Sequence, residues 1–213
     1  MQQKLHDFAA KQGLSLPQDA SEKLALYADL IWQKKDFLNL TSVAGKEEIF
    51  TRHLCDGLAG AAFIDGRARQ QGKTRYSVAD MGSGAGYIGL TMAMALPQAQ
   101  VHLVESLEKR CSFMNWAILK LGLKNVSVHC MRLGQKEIET FDFVTERAMG
   151  QINDILPLLA PCVKQGGLVL PYQSQPNDAK PELVAGLGLT TQTAAEYVLP
   201  GEEKVRYLAV FAH

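Results

Sequence analysis

Ser77-Val78-Ala79-Asp80-Met81-Gly82-Ser83-Gly84-Ala85-Gly86 is the stretch that decides the fold. A short apolar run ends in an acid, and glycines follow at every second position. A strand that stops at Asp80 and turns through Gly82, Gly84 and Gly86 leaves bare backbone beside a ligand. Side chains there would block close approach and forbid the positive φ a tight turn needs. Leu90–Leu96 then reads as a buried helix whose first N–H groups face the same turn. Val101-His102-Leu103-Val104-Glu105 is a second apolar run ending in an acid, placed where nucleotide-binding folds hold a ribose hydroxyl.

Two ligand classes fit this arrangement. A dinucleotide site would use Gly84, Gly86 and Gly89 as G-x-G-x-x-G, with Glu105 on the ribose. An S-adenosylmethionine site takes an acid ahead of the glycines, and Asp80 therefore discriminates. Its carboxylate would repel a pyrophosphate and attract a methionine ammonium or a sulfonium. The reading favours the methyl donor over NAD. The bland alternative leaves the glycines as turn formers and both acids as solvated strand ends.

Outward from the turn, the chain alternates. Strands are predicted at 76–80, 101–105, 126–130, 141–146 and 166–171, with helices near 88–95, 107–121 and 150–160 between them. That alternation implies a parallel sheet with helices on both faces. Residues 191–199 and 204–212 read as an antiparallel hairpin closed by Pro200-Gly201-Glu202-Glu203. Residues 1–65 look helical: Leu24, Tyr27, Leu30 and Ile31 recur at helical spacing, and Pro17 with Asp19-Ala20-Ser21-Glu22 resembles a helix start. The pattern breaks at Asn39-Leu40-Thr41 and resumes over Glu47–Leu58. The fold class expected is α/β: a doubly wound, mostly parallel, Rossmann-like sheet with a C-terminal antiparallel hairpin, the layout of class I methyltransferases. A helical region over 1–65 precedes a donor-binding domain over 66–213.

The 213 residues carry 22 basic and 22 acidic side chains, so no net charge draws the chain to nucleic acid. Any RNA contact must come from a local patch. Gly66–Arg75 holds Arg67, Arg69, Lys73 and Arg75 and no acid. It reads either as a solvated linker or as a phosphate-contacting loop beside the donor pocket. Cys55, Cys111, Cys130 and Cys162 are scattered, which predicts reduced thiols in a cytoplasmic protein. The histidines lack zinc-ligand spacing, so no metal is expected. No signal-peptide core or membrane-length apolar run is present in the sequence.

Several stretches together resemble one family. Asn39-Leu40-Thr41-Ser42-Val43, Arg52-His53-Leu54-Cys55-Asp56, the Asp80–Gly86 turn and Leu103-Val104-Glu105-Ser106-Leu107-Glu108-Lys109-Arg110 are similar to the RsmG (GidB) family. Phe141-Asp142-Phe143-Val144 with Arg147-Ala148, then Lys164-Gln165-Gly166-Gly167, continue the likeness. The chain departs from the family pattern where Tyr87-Ile88-Gly89 lacks a proline, where Gly57 replaces a serine, where Pro171-Tyr172 replaces lysine-glycine, and where Gly134 and Gln135 replace acids.

The resemblance implies methylation of N7 of one guanine in 16S ribosomal RNA, with S-adenosylmethionine as donor and no metal. The partner would be 16S rRNA or the small-subunit particle, and the chain is expected to act as a cytoplasmic monomer away from membranes. Rival functions are a small-molecule methyltransferase of the same fold and an NAD-dependent oxidoreductase. By resemblance, the donor would be bound by Asp80, Gly82, Ser83, Gly84, Gly86 and Tyr87 on one side. Glu105, Ser106, Arg132 and Arg147 would complete the site. Arg52 and His53, with the basic run, are the expected RNA contacts; the alternative is that Arg52, His53 and Asp56 brace the pocket, with His53 a hydrogen-bonded packing histidine. Arg52, His53 and Asp56 are expected to share one helical face, and Phe113 and Trp116 to be core. Guanine N7 is a lone pair with no proton to remove, so positioning rather than a general base must supply the rate. Arg147, just past a strand, is the expected reader of the guanine edge, or else the ion-pair partner of Glu146 or a nearby acid.

Overall fold

The computed structural model describes residues 2–39, 45–135, 138–175 and 178–213. Of the Asn39–Val43 stretch only Asn39 is among them. It ends a helix in the left-handed region, with φ 46°.

The sheet contains β1 (Tyr76–Met81), β2 (Ala99–Glu105), β3 (Val126–Cys130), β4 (Phe141–Glu146), β5 (Val163–Gln173), β6 (Thr190–Val198) and β7 (Val205–Ala212). Their order is β3-β2-β1-β4-β5-β7-β6. The first five are parallel, and β7 runs antiparallel between β5 and β6. The chain winds outward from β1 to β3, then restarts at β4 on the other side of β1. The carboxyl ends of β1 and β4 therefore frame the crevice where open α/β sheets bind ligands.

Helix α5 (Tyr87–Ala95) follows β1 and α6 (Glu108–Leu121) follows β2. Every residue of α5 is buried, as a helix apolar on all sides must be. Gly89 lets α5 close on the sheet: a Cβ there would collide with the Leu103 side chain and lie 3.0 Å from Asp80 Cβ. Phe113 and Trp116 of α6 pack against the core, their rings 5.9 Å apart. Helix α7 (Ile152–Leu159) and the short α8 (Pro181–Gly186) belong with the buried cluster on the opposite face.

The N-terminal part comprises α1 (Gln2–Lys11), α2 (Ala20–Leu38), a short α3 (Lys46–Glu48), a π-helical segment (Ile49–Leu54) and α4 (Cys55–Gln70). The proposed boundary at 65/66 needs correction, because it falls inside α4. One continuous apolar cluster runs from Leu5 and Leu24 through Leu58 to Val78 and Leu103, so the helices are built onto the sheet. The linker reading of Gly66–Arg75 falls with it. Arg67 and Arg69 occupy the last turn of α4, where cations suit the helix C-terminus.

The expectation of four reduced thiols also changes. Cys111, in the first turn of α6, is disulfide-bonded to Cys130 at the end of β3, Cα–Cα 5.8 Å. Parallel pairing sets Cys130 opposite Glu105, and α6 brings Cys111 back over the same strand end. Cys55 and Cys162 are free and buried, and burial pushes the Cys55 thiol up to about 12. No described helix is long and apolar enough to cross a membrane.

Candidate active site

The glycine turn is braced from several directions. Ser83 Oγ donates to Asp80 O at 2.6 Å, and Ser83 N donates to Val104 O at 3.0 Å. Tyr27, on α2, donates through its buried hydroxyl to Ala85 O at 2.6 Å. Gly84 has φ +62°, and the space a Cβ would fill is open. Gly84 is thus bare on the side where a ligand would lie.

Two cavities flank the turn and share Gly82. One, of about 200 Å³, is lined by Asp80, Ser83, Gly84, Tyr87, Arg110 and Arg147 among others. The second, of about 290 Å³, is lined by Glu105, Ser106, Arg132, Met149 and neighbours. Met149 lies over Gly82 between them: its Sδ is 2.6 Å from where a Gly82 Cβ would sit. Such a two-part cleft fits an extended donor with a charged amino-acid end and a nucleoside end.

The acids are placed by backbone amides. Asp80, 1% exposed, accepts from Gly89 N at 2.9 Å and faces Thr145 Oγ1 at 3.5 Å. Burial raises its carboxyl to about 6, against the Gly89 amide and the Arg147 charge, which lower it. Glu105 accepts at Oε2 from Gly84 N at 2.9 Å, and at Oε1 from Ser106 N at 2.8 Å and Leu107 N at 2.9 Å. Ser106 Oγ at 3.4 Å also faces Oε1, whereas Oε2 carries one hydrogen bond, from Gly84, with Arg110 Nη1 at 3.6 Å, so Oε2 is the oxygen with room for a ribose hydroxyl. Glu105 thereby ties the ribose side of the cleft to the glycine turn.

Arg147 follows β4, and burial raises the Glu146 carboxyl behind it to about 7. The expected alternative, an ion pair with Glu146 or a nearby acid, forms with Asp56 and not with Glu146. Glu146 turns to the Met149 amide, and Arg147 Nη1 donates to Asp56 Oδ2 at 2.6 Å. Arg147 Nη2 donates to His53 Nδ1 at 3.0 Å. The π-helical segment leading into α4 sets His53 and Asp56 on the same guanidinium. The R-H-x-x-D stretch and the arginine after β4 are thus one device. Ala148 next to it holds φ 67°, a strained conformation for alanine, as often occurs at working sites.

A guanidinium only donates, so His53 Nδ1 is its acceptor and the ring proton sits on Nε2. His53 stacks on Tyr87 at 4.3 Å, and its Nε2 is buried without a hydrogen-bond partner. Burial, then Arg147, lower its pKa to about 3, so the ring is neutral.

Three residues that the sequence reading did not assign to the site complete this network. Tyr197 donates to Asp56 Oδ1 at 2.8 Å, Tyr172 to Asp56 O at 3.2 Å, and Arg206 Nη1 lies 3.7 Å from Asp56 Oδ2. Tyr197 and Arg206 are cross-strand partners on the hairpin. Tyr172, a departure from the family pattern, fits because Gly60 leaves room for its hydroxyl. Only the folded chain reveals that these residues meet Asp56.

Other predicted residues lie elsewhere. Arg52 points outward, pairing with Glu48 at 2.6 Å and Glu202 at 3.5 Å. It does not share the pocket with His53 and Asp56. The basic run does not flank the donor cleft: Lys73 and Arg75 precede β1, whereas the glycine turn follows it, about 20 Å away along the strand. Arg69 pairs with Asp65, Lys73 with Asp142, and Arg67 donates to Gln192 at 3.0 Å. Arg75 is exposed.

Residues 20–188 match the family model described as rRNA small subunit methyltransferase G. The ribosomal RNA small subunit methyltransferase G of Limosilactobacillus reuteri is 30% identical, over 94% of this chain and 86% of that protein. The same-named protein of Caldicellulosiruptor bescii is 33% identical, over 88% and 81%. Among solved structures, magnesium protoporphyrin IX methyltransferase from Synechocystis PCC 6803 with bound SAM superposes with a TM-score of 0.63 at 12% identity, covering 90% of this chain and 97% of that one. This likeness establishes the class I methyltransferase fold. The family match, the relatives and the paired histidine–aspartate hold on Arg147 agree, and the chain belongs to the ribosomal RNA small subunit methyltransferase G family.

Proposed function

We propose that this protein transfers the methyl group of S-adenosylmethionine to N7 of a guanine in 16S ribosomal RNA, acting as a single chain in the cytoplasm. The observation that carries this reading is the Arg147 guanidinium, held by Asp56 and His53 at the wall of the cavity that Asp80 and the glycine turn also line. The donor fits with its amino-acid end beside Asp80 and its adenosine along Glu105, Ser106 and Arg132. When bound it supplies an electrophilic methyl group on a sulfonium.

The chain's own residues then have a limited task. Asp80 offers a carboxylate to a cationic ligand, and Glu105 offers acceptor sites to a ribose. Two hydrogen bonds engage Arg147 Nη1 and Nη2, leaving further N–H groups for the acceptor edge of a guanine. Gripping O6 from this side leaves the N7 lone pair in line with the methyl group, and no proton has to be removed.

The test is incubation of the protein with methyl-labelled donor and undermethylated small-subunit particles, followed by nucleoside analysis. Label should appear as 7-methylguanosine. Label on a ribose hydroxyl or an exocyclic amine, or only on small molecules, would overturn the assignment.

A further inference from the structure

His102 on β2, His129 on β3 and Glu139 in the β3–β4 connection converge outside the donor cleft. His102 Nδ1 lies 3.0 Å from His129 Nε2 and 3.4 Å from Glu139 Oε1, and the three donor atoms lie within 4.8 Å of one another. Register explains the pairing. His102 sits opposite Ser127 and Val104 opposite His129, so both histidines occupy one face of neighbouring strands. Ser127 Oγ, between them, is 3.4 Å and 3.3 Å from the two ring nitrogens. Phe141 backs His102, ring centroids 4.8 Å apart. Lys164, a cation whose charge acts on His102, is engaged by Asp142 at 3.1 Å.

We propose that His102, His129 and Glu139 form a binding site for a divalent ion of the zinc class. Zinc–nitrogen bonds of about 2.05 Å set tetrahedral ligand atoms about 3.3 Å apart. The separations of 3.0 Å and 3.4 Å lie near that value, and the third, within 4.8 Å, closes by rotation of the exposed Glu139 side chain. Two imidazoles and one carboxylate select zinc, cobalt or nickel over magnesium and calcium, which prefer all-oxygen shells. Glu139 is exposed, so water can reach the ion and complete the shell. No local ligand motif marks the site, because strand pairing and a connecting segment bring its members together.

The site also touches the donor cleft indirectly. Glu139 belongs to the connection whose beginning supplies Met131, Arg132 and Leu133 to the wall of the second cavity. An ion that pins Glu139 to β2 and β3 restrains that connection, and binding to the folded state alone stabilises it.

The experiment is a cobalt(II) titration of the full chain after removal of bound metal by chelator and desalting. The expected result is one equivalent bound, with the intense visible absorption of tetrahedral cobalt, displaced by zinc. His129→Asn removes a direct ligand and should weaken binding by at least about 100-fold, the upper end of what losing an outer-shell partner costs. Glu139→Gln, at a side chain 61% exposed, keeps the test valid should His129→Asn fail to fold. Absence of the tetrahedral spectrum, or affinity unchanged in the folded variants, would overturn the proposal.

Discussion

Gly84 and Arg147 carry opposite kinds of constraint. At Gly84 the backbone is left-handed and the side-chain space is open, so a valine meets no neighbour. Gly84→Val should cost about 1–2 kcal/mol of stability from the backbone conformation alone. It should also remove donor binding, because the branch occupies ligand space. Thermal unfolding and calorimetric titration of the same variant separate the two effects, and retained donor affinity would place the ligand elsewhere. Arg147 is instead crowded by partners. Arg147→Ala would leave the buried Asp56 to Tyr197 and Arg206, at a cost below the about 3–5 kcal/mol of a fully broken buried pair, and would confuse folding with chemistry. Arg147→Lys keeps a cation near Asp56 and loses the fork. Methylation should fall on the order of 100-fold, the scale of one lost transition-state donor, while the thermal midpoint moves little. The salt dependence of RNA affinity should not change, since a base-edge contact is not a phosphate contact.

At the level of elements, helix α2 is part of the donor site although no ligand contact need come from it. Tyr27→Phe leaves the Ala85 carbonyl without its buried partner, an omission worth about 1–3 kcal/mol. The loosened turn should weaken donor affinity too. Unchanged calorimetric affinity would show that the turn holds without α2. Between β1 and β4 the organising group is Asp142. Burial would raise its carboxyl, but Lys73, the Ser77 amide and hydroxyl, and Lys164 outweigh that and hold it well below the usual range. Its contribution to stability is present above the ordinary carboxylate pKa of about 4 and is lost as pH falls through the lower folded value. Lys73→Met should therefore narrow the acid range in which the fold survives, read by denaturation below pH ~4. RNA methylation at neutral pH should stay intact; its loss would return the basic run to the RNA interface.

For the whole molecule, the pH response combines opposed groups. Asp80 and Glu146 have folded pKa values of about 6 and about 7, above their ordinary values, so the folded chain holds protons that the unfolded chain releases. Their contribution to stability declines as pH rises from about 4 to about 7. His53, lowered to about 3, acts the other way: its contribution is lost as pH falls from about 6.5. Asp80→Asn leaves His53 in place, so the difference between wild type and this variant should decline from pH ~4 to pH ~6 and then level. A cationic donor requires ionised Asp80, so the thermal shift it produces in wild type should grow over the same range. A shift independent of pH in wild type would remove Asp80 from the donor's charged end.

The sheet was legible because its signals are local. Alternating apolar runs, an acid at each strand end and glycines in the turn act over a few residues, and strands β1–β5 appear close to where those signals place them. Asp80, Gly84 and Glu105 could be named for the same reason: strand ends and tight turns dictate residue types whatever packs around them. What the sequence could not determine depends on neighbours far apart in the chain. The end of α4 looked like a linker because basic residues at a helix C-terminus and in a loop read alike. Asp56 became the anchor of Arg147 only when Tyr172, Tyr197 and Arg206 arrived from strands more than a hundred residues away. Cys111–Cys130 and His102–His129 met through β-register, which a single chain read end to end does not display. Local backbone chemistry fixes the turn that can hold a donor, whereas the charge network that aims Arg147 is decided by which strands come to lie side by side.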